Sequence, residues 1–123
     1  MRGNQSQPYV LVNNPAFTSL GIFKYNGKIY YGNDPIKLEI IYSINNDTLA
    51  NTNFTIQLQD ITNTNIIATI GPIMRAGTSV TFFTESTVIF SNIPNNSSLI
   101  EIDGKIVAGS TAIRLHSIRM ILN

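Results

Sequence analysis

The sequence predicts an all-β protein: an antiparallel two-sheet sandwich, immunoglobulin-like or jelly-roll, with an extended N-terminal arm. Three observations carry this. The composition suits pleated surfaces and turns, with 20 Ile and 12 Thr beside 15 Asn and 10 Ser in 123 residues. Ile and Thr are β-branched and stiff at χ1, and Asn and Ser bond their own backbone in turns. Apolar and polar residues alternate strictly in several short runs, the period of a strand with one buried and one wet face. No segment keeps a helical period over about ten residues or more. The turn-rich breaks leave room for about nine strands.

The first run, "PYVLV", places Tyr9, Val10, Leu11 and Val12 in a strand apolar on both faces, which needs cover on both. Pro15 in "NNPAFTSL" interrupts it, so residues 1–15 read as an arm and 16–123 as the sandwich. "IFKYNGKIYY" and "LIEIDGKIVA" carry Asn26-Gly27 and Asp103-Gly104. Both dipeptides accept the positive φ values of a type I′ turn, so both predict hairpins. In "IKLEIIYSI", Ile36, Leu38, Ile40, Tyr42 and Ile44 share the buried face, opposite Lys37, Glu39 and Ser43. In "FTIQLQD", Phe54, Ile56 and Leu58 point inward. "PIMRAGTSV" reads as a longer connection with Gly77 at an unusual dihedral. "SVTFF" pairs Val80 with Phe82 on one face, and "TVIFS" pairs Val88 with Phe90. "INNDTLANTN" and "NIPNNSS" are loops. In "STAIRLHSIRMILN" the alternation slips at Ser117, the mark of a β-bulge.

Apolar residues make up 43% of the chain, charged residues 12%, and the net charge is +1. That balance provides no electrostatic footprint for nucleic acid or an anionic membrane. There is no Cys, which removes disulfides, thiolate chemistry and Cys-based metal sites. No apolar run reaches the length of a membrane span, and no signal-peptide core is present, so neither membrane insertion nor a classical export signal is expected.

Chemistry-bearing residues are sparse. His116 is the single histidine and sits on a strand face opposite Ile113 and Leu115, a solvated position rather than a catalytic one. The acids Asp34, Glu39, Asp47, Asp60, Glu85, Glu101 and Asp103 are scattered singly. Asp34 and Asp47 lie in loops that supply oxygen ligands, but Asx turns account for them without calcium. No catalytic residue, cofactor or metal site is expected, and the chain is not read as an enzyme. Tyr25, Tyr30 and Tyr31, with Phe23 nearby, are the aromatics expected either to pack across the first hairpin or to serve a ligand or interface. The sequons at Asn4, Asn46, Asn53, Asn95 and Asn96 follow from the abundance of Asn, Ser and Thr.

The stretch "KLEIIYSINNDTLANTNFTIQLQD…IIATIGPIMRAGTSVTFF", residues 37 to 83, resembles the middle of bacterial immunoglobulin-like surface domains. In a chain without a signal peptide, its cadence is similar to the β-sandwich subunits of Bacillus spore appendages. That resemblance implies a fibre-forming subunit with an N-terminal connector. The absence of Cys departs from those subunits, so covalent cross-links do not carry over. The expected function is a structural subunit of a self-assembling fibre at a spore or cell surface. It would polymerise with copies of itself by adding the strand Tyr9-Val10-Leu11-Val12 to a neighbour's sheet edge, as in donor-strand exchange. About fifteen extended residues reach on the order of 50 Å, enough for this. Two rivals accompany it: a viral or phage jelly-roll capsid or spike protein, and a carbohydrate-binding module using Tyr25, Tyr30 and Tyr31.

Overall fold

The structure, a computed structural model, describes residues 9–31 and 35–122. Asp34, the Asn4 sequon and most of the 1–15 arm lie outside the described residues, as does the side chain of Tyr31.

Among the described residues, eight strands and one helical turn follow in order: β1 (Val10–Val12), β2 (Thr18–Tyr25), α1 (Lys28–Tyr31), β3 (Pro35–Ile44), β4 (Ala50–Asp60), β5 (Asn65–Gly77), β6 (Phe83–Thr87), β7 (Ser98–Ile106) and β8 (Ile113–Leu122). They form two four-stranded sheets, β1-β8-β3-β6 and β2-β7-β4-β5, with antiparallel pairing throughout. Every connection except β4–β5 crosses from one sheet to the other. This alternation is the order of a jelly roll, and it resolves the choice of sandwich type left open by sequence.

The core lies between the sheets. Leu38, Ile40 and Tyr42 of β3 meet Phe54, Ile56 and Leu58 of β4 and Ile100 and Ile102 of β7. The alternation predicted for β3 and β4 holds from Leu38 onward. Ile36 does not join that face: the β3–β8 register shifts between Pro35 and Lys37, and Ile36 is exposed. The predicted slip in β8 is present. Ile41 stands opposite Ser117 and Tyr42 opposite Leu115, leaving His116 as the extra residue of a bulge.

Both predicted hairpins are overturned. Asn26-Gly27 ends β2 and leads into α1, whose Lys28 and Ile29 amides donate to the Pro94 and Asn95 carbonyls at 2.9 and 3.1 Å. Gly27 does take a positive φ, 95°. A Cβ there would also strike the Asn95–Asn96 backbone, so Gly serves a close approach between loops. Asp103-Gly104 lies within β7, whose Ile100, Ile102 and Ile106 all remain buried. A Cβ on Gly104 would meet Leu20, Val12 and Ile56 at 2.9 to 3.1 Å. A side chain there would crowd the packing between the sheets, and these methyl groups would have to shift to admit it. The β4–β5 hairpin turns instead at Asp60, where Oδ1 accepts from the Thr62 and Asn63 amides at 3.0 and 3.1 Å.

The 70s and 80s also depart from expectation. Residues 72–77, read as a connection, continue β5 to Gly77. β6 begins at Phe83, which turns inward, so Val80 and Phe82 lie in the preceding loop and are exposed. Val88 falls in the irregular stretch after β6 and is exposed as well. These runs are too short for periodicity alone to choose the buried face.

Candidate functional site

β1 completes its own sandwich. Val10, Leu11 and Val12 pair with Leu115, Arg114 and Ile113 of β8, and Val12 is 0% exposed in the core. The double apolar character of this strand is thus explained within the single chain: Val12 packs between the sheets while Leu11 faces outward. Tyr9 continues onto the outer face, edge-on to His116 at 5.8 Å, with the Arg114 guanidinium 4.7 Å above its ring. His116 stacks on Phe82 at 4.4 Å and lies 2.8 Å from the Ser43 hydroxyl through Nε2. Tyr9, His116 and Phe82 thereby form a row of rings across the outer face of the first sheet.

The tyrosines of the first predicted hairpin do not form one exposed group. Tyr25 is 3% exposed and belongs to the core, whereas Tyr30, on α1, is 72% exposed.

Among the described residues, titratable side chains cluster on the outer face of β3 and β8, where Arg119 and Lys37 pair with Glu39, and in two further arrangements that hold strands together. The Tyr42 hydroxyl donates to Glu85 Oε2 at 2.9 Å, and Arg75 donates to the same oxygen at 2.8 Å and to the Tyr42 oxygen at 3.1 Å. Burial, then the adjacent Glu85 carboxylate, pushes the Tyr42 hydroxyl above its ordinary range. This clamp ties β3, β5 and β6 together. On the outer face of the second sheet, Asp103 is nearly buried and accepts from Gln57 Nε2 at 3.2 Å. Burial, then a hydrogen bond to Glu101, pushes its carboxyl up to about 6. Among the described residues no three His, Cys, Asp or Glu side chains gather as a metal site. No described helix is long and apolar enough to cross a membrane.

A groove of about 380 Å³ opens between the sheets, where Gly21–Tyr25 of β2 faces Ile118–Leu122 of β8. β1 covers only Ile113–Leu115 on this side of β8.

The surface is most distinctive at the two ends of the sandwich. One end, the tip, gathers loops 13–17, 45–49, 78–82 and 107–112. Backbone hydrogen bonds join these loops, Ser79 to Asn46 and Asn45 to Ala112, each at 2.9 Å. The other end, the base, gathers α1, the 61–64 turn and the 88–97 stretch, joined by Ile29 to Asn95 at 3.1 Å and Ile61 to Leu99 at 3.0 Å. Except for Leu11, Ile22 and Met74, every exposed large apolar side chain among the described residues lies in these loops or within two residues of a strand end beside them. Apart from Met74 on β5, the most exposed are Leu49, Val80 and Phe82 at the tip and Ile29, Tyr30, Val88 and Ile89 at the base. Sequence reasoning missed this surface because it read Val80, Phe82 and Val88 as inward-facing strand residues. The available signal was the scarcity of charge: Asp47 is the sole ionisable residue in the four tip loops.

Comparisons with protein families and with curated proteins return no match. Among solved structures, the chain is similar to a carbohydrate-binding module, "CBM4 structure and function", at TM-score 0.45 and 9% identity over 89% of this chain and 66% of that one. It is similar to the CBM22-1 xylan-binding domain from Paenibacillus barcinonensis Xyn10C at TM-score 0.39 and 14% identity, over 70% and 53% of the two chains. A structure of infectious bursal disease virus, Gt strain, matches at TM-score 0.39 and 13% identity over 82% and 26%. The chain spans less than two thirds of the length of each. All three TM-scores lie below 0.5, and the jelly-roll assignment rests on the strand order of this chain itself.

Proposed function

We propose that the domain is a non-catalytic structural subunit that associates with copies of itself at the surface of a particle or fibre. The concentration of exposed apolar side chains at the two ends carries this reading. Val80 is 84% exposed, Leu49 75% and Ile89 74%, and isolated monomers rarely leave this much apolar surface gathered in their loops. A monomeric domain would also dress such loops with charge. The particle in view is a viral shell or spike, or a bacterial surface fibre of the spore-appendage kind, on the outside of the cell or virion. Donation of Tyr9–Val12 to a neighbour is not required for the contact, since β1 closes its own sheet.

Sedimentation velocity over a range of concentrations, with negative-stain electron microscopy, tests the reading. Concentration-dependent growth into closed or open assemblies is expected. A monomer at every concentration refutes it.

One observation favours a second reading, recognition of a polysaccharide: the ring row Tyr9–His116–Phe82, a face on which a sugar ring can stack. Retention on a xylan or cellulose gel, lost in Phe82→Ala, would establish that reading.

A further inference from the structure

A sheet edge leaves backbone N–H and C=O groups without partners and invites another strand. Among the described residues, three of the four edge strands are short or guarded. β1 has three residues and β6 five. β5 is long but contains Pro72, which has no N–H to offer. Its Ile66 and Ile67 carbonyls already accept from the Asn92 side chain and the Ser91 amide, at 3.2 and 2.8 Å. β2 is neither short nor guarded. Its eight residues pair with β7 on one side and with no described strand on the other, it holds no Pro, and Lys24 is its sole charge. The groove of about 380 Å³ opens beside this same edge, with Phe23 and Met120 only partly buried in its lining. Ile22, on the outer face opposite Glu101, is 54% exposed.

We propose that this edge pairs with the β2 edge of a second copy, antiparallel about a two-fold axis at Phe23, so that two four-stranded sheets join side by side into one. The contact rests on the self-association proposed above and adds a lateral joint to the apolar ends. An antiparallel edge is self-complementary, because a two-fold brings the same backbone groups of each copy together. The register follows from the strand itself. β2 pairs with β7 without a shift over residues 21–25, beyond the irregularity between Ser19 and Gly21, and Phe23 is the midpoint of that stretch. A two-fold normal to the sheet keeps outer side chains outer, so Phe23 meets Phe23 across the axis on the inner face, an aromatic cross-strand pair. Gly21, without a side chain, lies opposite the bulky Tyr25. Lys24 of each copy lies opposite Ile22 of the other, and that Ile22 is itself opposite Glu101. The single charge at the edge therefore approaches an opposite one across about 10 Å of backbone spacing. An axis at Lys24 would set like charges directly against each other, and an axis at Ile22 or Gly21 would draw the irregular stretch into the pairing. The inward rings of the added strand stand over the mouth of the groove and shield its apolar lining.

The chain has no Cys, so introduced thiols report this register. Ile22→Cys mixed with Lys24→Cys under mild oxidation gives a disulfide-linked heterodimer about tenfold faster than either protein links to itself. Opposed residues bring their Cβ atoms within about 5.5 Å, whereas diagonal ones stand about 7–8 Å apart. Met74→Cys, at a site 79% exposed on β5, sets the rate of chance collision.

Sedimentation velocity reads the proteins without thiols. Ile22→Lys lies at an exposed site opposite Glu101, so it folds, which circular dichroism and thermal melting check. Its new ammonium faces Lys24 of the second copy at two symmetric positions and weakens association about tenfold. Adding Lys24→Glu restores association, because opposite charges then face each other. Wild-type association with no preferred heterodimer link, or with Ile22→Lys assembling as wild type does, overturns pairing through β2 and leaves association through the ends standing. A wild type that is monomeric up to roughly 1 mM removes the self-association reading, and this inference with it.

Discussion

Asp103 makes the stability of the domain depend on pH in mildly acidic solution. Its carboxyl lies on the outer face of the central strand β7, nearly buried, with Gln57 donating at 3.2 Å. Burial and the neighbouring Glu101 raise it to about 6 from an ordinary 3.8. The folded state therefore holds a proton that the unfolded chain releases. Stability from this group is fully present below about pH 4 and is lost as pH rises through about 6. Between those limits the loss runs at no more than about 1.4 kcal/mol per pH unit. Asp103→Asn keeps a group that hydrogen-bonds Gln57 and removes the titration. Urea unfolding at pH 5 and pH 7.5 measures the effect: the wild-type midpoint should be lower at pH 7.5, and the Asn variant should be nearly flat and the more stable of the two there. Glu39 acts in the opposite sense. Its hydrogen bond with Arg119 holds its carboxyl below the usual range, and that contribution is lost only as the solution becomes more acidic. A wild-type midpoint unchanged between the two pH values, or an Asn variant with the same slope, would refute the argument.

Three further outcomes follow from the packing. Val12→Ala should cost roughly 1–3 kcal/mol in chemical unfolding, because its side chain is fully enclosed between the sheets; a cost below a few tenths would mean that β1 does not close its own sheet. Tyr42→Phe should cost about 1–2 kcal/mol, since Glu85 and Arg75 lose a shared partner inside the clamp, with Tm the readout and an unchanged Tm the refuting result. Gly27→Ala should lower Tm well beyond Gly109→Ala. Both sites have positive φ, but a Cβ at Gly27 meets the Asn95–Asn96 backbone while one at Gly109 meets nothing within 4 Å. Equal costs would show that strain at φ alone decides.

The class of fold and much of the core were legible in order along the chain. A two-residue period in "KLEIIYSI" and "FTIQLQD" identifies Leu38, Ile40, Tyr42, Phe54, Ile56 and Leu58 as buried, because a pleated strand sends alternate side chains to opposite faces. The phase slip near Ser117 was readable for the same reason: one extra residue shifts every later side chain across the sheet. Local signals failed where two structures share one local chemistry. Asp103-Gly104 has the residues of a type I′ turn, yet it lies inside β7, with Leu20, Val12 and Ile56 packed close over Gly104. That packing is set by the opposing sheet, which the dipeptide does not encode.

By itself, then, the sequence determined that strands form, which faces of β3 and β4 turn inward from Leu38 and Phe54 onward, and that no cysteine is present. Tertiary structure alone decided that β1 pairs with β8 of its own sandwich, that Tyr25 is interior while Tyr30 is exposed, and that Val80, Phe82, Val88 and Ile89 lie outside at the two ends. The physical reason is one of range. Strand formation and face selection depend on neighbours two residues away, whereas burial at a strand end depends on which loop from a distant part of the chain arrives to cover it.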